Sequence, residues 1–210
     1  MADGQQQSTA TIDLVAFDLG NVLTFVDERP PVAEFARLSG STEQEVIEAC
    51  YTKPRKCPLE TGQQSWPEFV EQTRYVLGFK IDEPEFRAIF GSSIKPDTRM
   101  YDLAEAVSEQ KQIALCSNTH EVHWELERDR NSVSRKFNPA IVSYEVGAMK
   151  PDAPIFEALI DQSGLAPARI LFIDDLEENI EGASKLGIAG LVFGGIEQLE
   201  VDLAQFGIVV

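Results

Sequence analysis

Residues 15–23 read Val15-Ala16-Phe17-Asp18-Leu19-Gly20-Asn21-Val22-Leu23, and the order of residue types here sets the architecture. An apolar run ends abruptly on a carboxylate and a glycine turn, as a strand does when it leaves the buried centre of a sheet and delivers a polar group to its carboxyl edge. The run reaches back to Ile12, so the first strand is expected over residues 12–17. Outward along the chain, residues 112–116, 140–143, 170–173 and 190–193 repeat the pattern, with 208–210 as a weaker candidate. These segments are almost continuously apolar rather than alternating, which is how strands read when helices cover both faces. Helical patterns separate most of them. The expected core is therefore α/β, a doubly wound, Rossmann-like parallel sheet.

The long interval after the first strand holds helix signals and no convincing strand. Thr42 with Glu45, and Ser65 with Glu68, form capping boxes ahead of apolar runs, and Gly78 stands where a helix C-cap is wanted. Asp82, Pro84 and Glu85 open a third helix, and Pro96 with Asp97 a fourth. The interval reads as a small all-helical cap inserted into the core. The expected organisation is a disordered leader over 1–11, a core built from 12–25 and 97–210, and a cap over 26–96.

Composition narrows the function. The chain has 210 residues, 43% hydrophobic and 25% charged, as an ordinary globular protein does. Its 18 basic and 35 acidic residues give a net charge of −17, with no basic run, which argues against nucleic acid or an anionic membrane as partner. Cys50, Cys57 and Cys116 match neither a zinc pattern nor a disulfide framework and read as reduced thiols. With no secretory signal and no apolar run of bilayer-spanning length, the expected location is the cytoplasm, as a monomer or homodimer.

Four segments carry polar groups at or just beyond strand ends: Asp18-Leu19-Gly20-Asn21, Ser117-Asn118-Thr119, Lys150, and Asp174-Asp175. Any one of them is compatible with a turn or a helix cap. Together they mean more. Carboxylates converging at one sheet edge repel unless a cation sits among them, and hard oxygen ligands suit Mg²⁺. A lysine and a serine hydroxyl add donors for an anion, which outlines a site for phosphoryl transfer on a small phosphate ester, with a carboxylate available as nucleophile.

These segments resemble the motifs of the haloacid dehalogenase (HAD) superfamily of hydrolases. Residues 15–23 resemble the first, 113–119 (Ile-Ala-Leu-Cys-Ser-Asn-Thr) the second, 147–156 (Gly-Ala-Met-Lys-Pro-Asp-Ala-Pro-Ile-Phe) the third and 171–179 (Leu-Phe-Ile-Asp-Asp-Leu-Glu-Glu-Asn) the fourth, in the family's order. The likeness is strongest to the subgroup with an inserted helical cap that includes bacterial α-glucose-1-phosphate phosphatases. The resemblance implies that Asp18 attacks phosphorus and becomes an aspartyl-phosphate that water hydrolyses. It implies Mg²⁺ held by Asp18, the Gly20 carbonyl and Asp175, with Asp174 as ligand or neighbour. Ser117, the Asn118 N–H and Lys150 would hold the phosphoryl group, Lys150 also neutralising Asp18. Asn179 would orient the acidic turn, or simply start a helix.

One position departs from the family. Most of its phosphatases carry a second Asp two residues after the nucleophile, as acid for the leaving group, and this chain has Gly20. Loss of such a group costs roughly 10²–10⁴ in rate. Three explanations stand open: an acidic leaving group such as the anomeric hydroxyl of a sugar phosphate, substitution by Asp27, or weak activity, the protein then serving for binding or regulation. The family's other chemistry, metal-free dehalogenation through the same Asp, fits less well, because Asp174-Asp175 retains two carboxylates where dehalogenases tend to carry small polar residues. Of the remaining groups, His123 is a candidate substrate contact, and His120 with His123 makes a poor metal site for want of a third ligand. Trp66, Phe69 and Phe86 read as packing residues, the turn at 60–62 as a loop able to reach over the site, and residues 121–135 as a solvated charged face.

Overall fold

A computed structural model describes residues 11–210, so the expected leader, apart from Thr11, lies outside the described residues. β1 (Leu14–Phe17) turns into β2 (Thr24–Val26). Five helices follow, α1 (Arg29–Ser39), α2 (Glu43–Cys50), α3 (Lys53–Glu60), α4 (Trp66–Leu77) and α5 (Glu83–Phe90), before β3 (Ile94–Pro96) returns. The chain continues through α6 (Thr98–Ser108), β4 (Gln112–Ser117), α7 (Glu121–Arg130) and β5 (Ala140–Val142). Next come the short α8 (Ser143–Val146), α9 (Ala153–Ser163) and β6 (Ile170–Asp174), then α10 (Glu177–Ser184), β7 (Ala189–Val192) and α11 (Ile196–Gln205).

Five strands form one parallel sheet in the order β5-β4-β1-β6-β7, with β1 central and Ala16 in register with both Ala114 and Phe172. Alternate residues feed two apolar layers. Val15, Phe17, Ile113, Leu115, Leu171 and Ile173 face one, which α6 and α11 complete with Met100, Leu103, Val107, Leu199 and Leu203. Leu14, Ala16, Ala114, Cys116, Ile170 and Phe172 face the other, closed by Ile155, Phe156 and Leu159 of α9 and Ala183 of α10. Both faces exclude water, which is why the strands carry no polar alternation. After β1 the chain builds outward through β4 and β5 on one side and then through β6 and β7 on the other. That reversal opens a crevice at the carboxyl ends of β1, β4 and β6.

The expected caps are present. Thr42 and Glu45 exchange side-chain and backbone bonds at the start of α2, Ser65 and Glu68 do so at α4, and Gly78 ends α4 in the left-handed region at φ 69°. Asp82 caps α5 and Asp97 caps α6. Two helices and a ribbon were hidden in the sequence. α1 opens on Pro30 and Pro31, and α3 carries Pro54 and an internal Pro58, so proline masks both, although proline fits a first helical turn well. β2 and β3, three residues each, pair antiparallel from Thr24 with Pro96 to Val26 with Ile94, too short to leave a period in an interval expected to lack strands. No strand forms at 208–210, although Ile208 buries its side chain in the apolar layer with α11.

Helices α1 to α5 enclose an apolar cluster of their own. Trp66, Phe69, Phe86 and Phe90 stack there with ring centroids 5.4–6.3 Å apart, as packing residues should. The stretch from 121 to 135 is less solvated than expected. Val122 and Trp124 are buried, and Glu127 is fully buried with its Oε2 accepting from the Tyr101 hydroxyl at 2.8 Å. Among the described residues no helix is long and apolar enough to cross a membrane.

Candidate active site

At the carboxyl ends of β1 and β6, three carboxylates converge. Asp18, Asp174 and Asp175 each offer an oxygen within 4.8 Å of the others. Lys150, on the loop ahead of α9, reaches into this group from below with its side chain almost wholly buried: Nζ lies 2.8 Å from Asp18 Oδ1 and 2.6 Å from Asp174 Oδ2. Burial is the largest influence on the ammonium and opposes its charge, but the two carboxylates outweigh it and hold the pKa at about 12. Burial also dominates at Asp18 and raises its pKa, with Asp174 adding to the rise and Lys150 opposing it. Asp175, half-buried, is raised chiefly by burial as well. One ammonium does not balance three carboxylates. The remaining oxygens form a hard, anionic donor set that fits a small divalent cation such as Mg²⁺.

The surrounding loops fix these groups. Asn179 Nδ2 donates to Asp174 Oδ1 at 2.8 Å and the Leu176 N–H donates to the same oxygen at 2.9 Å, tying Asp174 to the start of α10. Asn21, in the left-handed region at φ 55°, donates from Nδ2 to Asp175 Oδ2 at 3.3 Å. Asparagine tolerates that conformation better than most residues. The Asn118 side chain clamps Lys150 from both sides: Oδ1 accepts from the Lys150 N–H at 2.7 Å and Nδ2 donates to its carbonyl at 2.9 Å. Ser117 is buried next to Asp18, and its hydroxyl opposes the rise in the Asp18 pKa. Ser143 Oγ accepts from the Thr119 N–H and donates to the Thr119 carbonyl, both at 2.9 Å, which secures the loop after β4. Ser143 escaped the sequence reading. Its one signal was a hydroxyl at the end of a strand.

A cavity of 160 Å³ opens from this edge toward the helical insert. Gly20, Ser117 and Asn118 line its lower end, and Glu28, Tyr51, Lys56 and Glu60 of the insert line its upper end, with Phe90, His120 and His123 between. His120 and His123 stack with centroids 4.0 Å apart, and His123 Nε2 lies 3.1 Å from Ser93 Oγ. Burial keeps both imidazoles neutral, His123 down to about 3 and His120 well below the usual histidine range. Two side-chain polar atoms of residues that line this cavity are buried without a hydrogen-bond partner: Tyr51 Oη and His120 Nδ1. Buried polar groups are normally satisfied, so two orphans beside one cavity point to a ligand that supplies their partners. A larger, shallower depression of 800 Å³ around Asp13, Gln112 and Asn138 lies at the opposite ends of the strands.

Asp27 stays outside this group. It forms a bidentate pair with Arg29, at 2.7 and 2.8 Å, which holds the carboxyl down at about 2 and makes it a poor proton donor. In this arrangement Asp27 is engaged by Arg29 and is not among the residues lining the cavity. Nothing steric forbids a side chain at position 20: a Cβ added to Gly20 meets only Val26 Cγ2, at 3.5 Å.

The chain is similar to known proteins over most of its length. Over 180 residues, 82% of this chain and 87% of the relative, the sequence is 26% identical to D-ribitol-5-phosphate phosphatase of Bacteroides thetaiotaomicron. It is 25% identical over 176 residues, 77% of the chain and 70% of the relative, to a flavin mononucleotide hydrolase of Arabidopsis thaliana. A HAD family enzyme of B. thetaiotaomicron, solved with magnesium and inorganic phosphate, superposes with a TM-score of 0.80 at 26% identity, covering 90% of this chain and 98% of that one. The family model for haloacid dehalogenase-like hydrolases matches residues 12–187, from the first strand through the acidic turn after β6 and beyond. A match of that extent, on a sheet that gathers the motif residues at one edge, makes this chain a member of the haloacid dehalogenase-like hydrolases.

Proposed function

We propose that the protein is a Mg²⁺-dependent phosphomonoesterase acting on a small sugar or polyol phosphate through an aspartyl-phosphate on Asp18. The observation that carries this reading is the buried Lys150 ammonium, 2.8 Å from Asp18 and 2.6 Å from Asp174, within a cluster of three carboxylates. Such a cluster would repel an incoming phosphate by itself. With a divalent cation present it becomes a receptor for one. The metal would be held by Asp18, the Gly20 carbonyl and Asp175, with Asp174 as ligand or neighbour. When bound, it neutralises the carboxylates and the phosphoryl oxygens.

The chain's own residues divide the rest. Asp18 is the nucleophile, presented by the end of β1 and steadied by Lys150. Ser117, the Asn118 N–H and Lys150 hold phosphoryl oxygens as charge redistributes. Asn179 keeps Asp174 turned toward Lys150. The unpartnered Tyr51 and His120 atoms, with His123 nearby, favour a hydroxyl-rich leaving group, and a relative acts on D-ribitol 5-phosphate. The helical insert over 26–96 would act as a cap that closes on the substrate and excludes bulk water. The free thiols Cys50, Cys57 and Cys116 suit a cytoplasmic enzyme.

The test is hydrolysis of an aryl phosphate and of a panel of sugar and polyol phosphates. Activity should require Mg²⁺ and vanish with EDTA, and Asp18→Asn should lower it at least about 10³-fold with the fold intact by circular dichroism. Undiminished turnover by Asp18→Asn would overturn the nucleophile. Turnover unchanged by EDTA would overturn the metal and favour metal-free chemistry.

A further inference from the structure

We propose that Glu60 is the proton donor to the leaving oxygen, the catalytic group that position 20 does not supply. The proposal rests on the phosphomonoesterase reading and concerns the other side of the reacting phosphorus. In phosphoryl transfer the attacking and leaving oxygens lie roughly in line, on opposite sides of phosphorus. Asp18 attacks from the sheet edge, so the leaving oxygen points into the upper end of the 160 Å³ cavity, where the helical insert supplies the walls.

The titratable groups there are Glu28, Tyr51, Lys56, Glu60, His120 and His123. Lys56 and Glu28 are taken up by one another, Nζ to Oε1 at 2.9 Å. Both imidazoles are held neutral by burial, and a neutral imidazole is no useful acid. Burial pushes the Tyr51 phenol well up. Glu60 remains, half-buried at the end of α3, with no hydrogen bond or ion pair to its carboxyl among the described residues. Burial raises its pKa above the ordinary value, with Lys56 opposing the rise. A glutamic acid in that state keeps its proton closer to neutral pH and can still surrender it.

Its position is set by the core as well as by the insert. The turn after α3 presses Gly62 onto α8: with φ +67°, a Cβ there would come 2.3 Å from the Tyr144 carbonyl oxygen. Glu60 is thereby held over the site by a backbone contact with the α/β core.

An Asp18 carboxylate oxygen forms a bond to phosphorus, the bond from phosphorus to the leaving oxygen breaks, and its electron pair goes to that oxygen. The Glu60 carboxyl proton transfers to the oxygen, releasing an alcohol and leaving a Glu60 carboxylate near Lys56. Water then attacks the aspartyl-phosphate and gives its proton to Glu60, which regenerates the acid, inorganic phosphate and the Asp18 carboxylate.

The experiment compares wild type with Glu60→Gln, as full-length protein with Mg²⁺, on p-nitrophenyl phosphate and on the best alkyl phosphate of the panel. A nitrophenolate leaves without a proton and an alkoxide does not. Glu60→Gln should therefore lower kcat/KM, which reports the transfer to Asp18 and not the later hydrolysis, by about 10²–10⁴ on the alkyl ester and by about tenfold or less on the aryl ester, and Glu60→Asp should recover part of the alkyl activity. Equal losses of kcat/KM on both esters, or no loss on the alkyl ester, would overturn the role of Glu60. So would a wild type that hydrolyses the aryl ester in an Asp18-dependent way but no alkyl ester. Absence of any Asp18-dependent turnover would instead overturn the phosphomonoesterase reading, and this role with it.

Discussion

Lys150 is the residue on which the proposed chemistry turns, and Asn118 is the residue that aims it. A buried ammonium between two carboxylates has little tolerance for displacement, since removing one member leaves uncompensated buried charge. The two bonds from the Asn118 amide fix both the N–H and the carbonyl of Lys150, so the Lys150 backbone enters the site at a set angle. Asn118→Ala should lower kcat by about 10–100-fold, with a smaller change in KM, because supporting contacts of this kind are typically worth that much. Steady-state kinetics on an aryl phosphate checks it. The sequence pointed to Asp18, Ser117, Asp174 and Asp175 because each sits at or next to a strand end, and to Lys150 because it stands ahead of a proline-started helix and the residue types together make sense only as a site. It did not reveal the task of the Asn118 side chain, which depends on a loop 32 residues away.

Among the elements, α6 and α7 meet through a buried polar contact that joins the core to the ribbon leading into the insert. Tyr101 on α6 donates to Glu127 on α7, and Ser134 Oγ donates to the Tyr101 hydroxyl at 3.3 Å. Burial raises the Glu127 pKa, with the Tyr101 and Thr24 hydroxyls opposing the rise. A raised acid binds more protons folded than unfolded, so stability falls as pH rises from the unfolded pKa through the folded one. At neutral pH that cost is present, and Glu127→Gln removes it while keeping an acceptor for Tyr101. The variant should melt a few degrees higher than wild type at about pH 8, with the gap closing toward about pH 4. Thermal denaturation at the two pH values measures it. Here the charge pattern of residues 121–135 misled, since a glutamate among mixed charges reads as solvated and only the packing of α6 on α7 buries it.

Over the whole molecule, the net charge of −17 opposes any anionic substrate, and the means of local reversal are Lys150, backbone N–H groups and a metal. Salt screens the global repulsion more than it screens a buried site, because the Debye length shrinks to about 10 Å at 0.1 M. With Mg²⁺ saturating, kcat/KM on a phosphate ester should rise a few-fold between about 20 and 200 mM NaCl. A steady fall over that range would mean that the mouth of the site, not the surface at large, dominates the encounter.

The sequence by itself determined the parallel sheet and the four strand-end segments, because an apolar run closed by a turn is a local signal that survives without neighbours. It also marked the caps of α2, α4, α5 and α6, whose bonds span only two or three residues. Only the tertiary structure decided which groups meet across long separations: Asn21 with Asp175, Ser143 with Thr119, and Glu60, Tyr51 and His120 around one cavity. The first two follow from how strands far apart in the chain pair in the sheet, and the last from a short ribbon and proline-bearing helices too irregular to announce themselves.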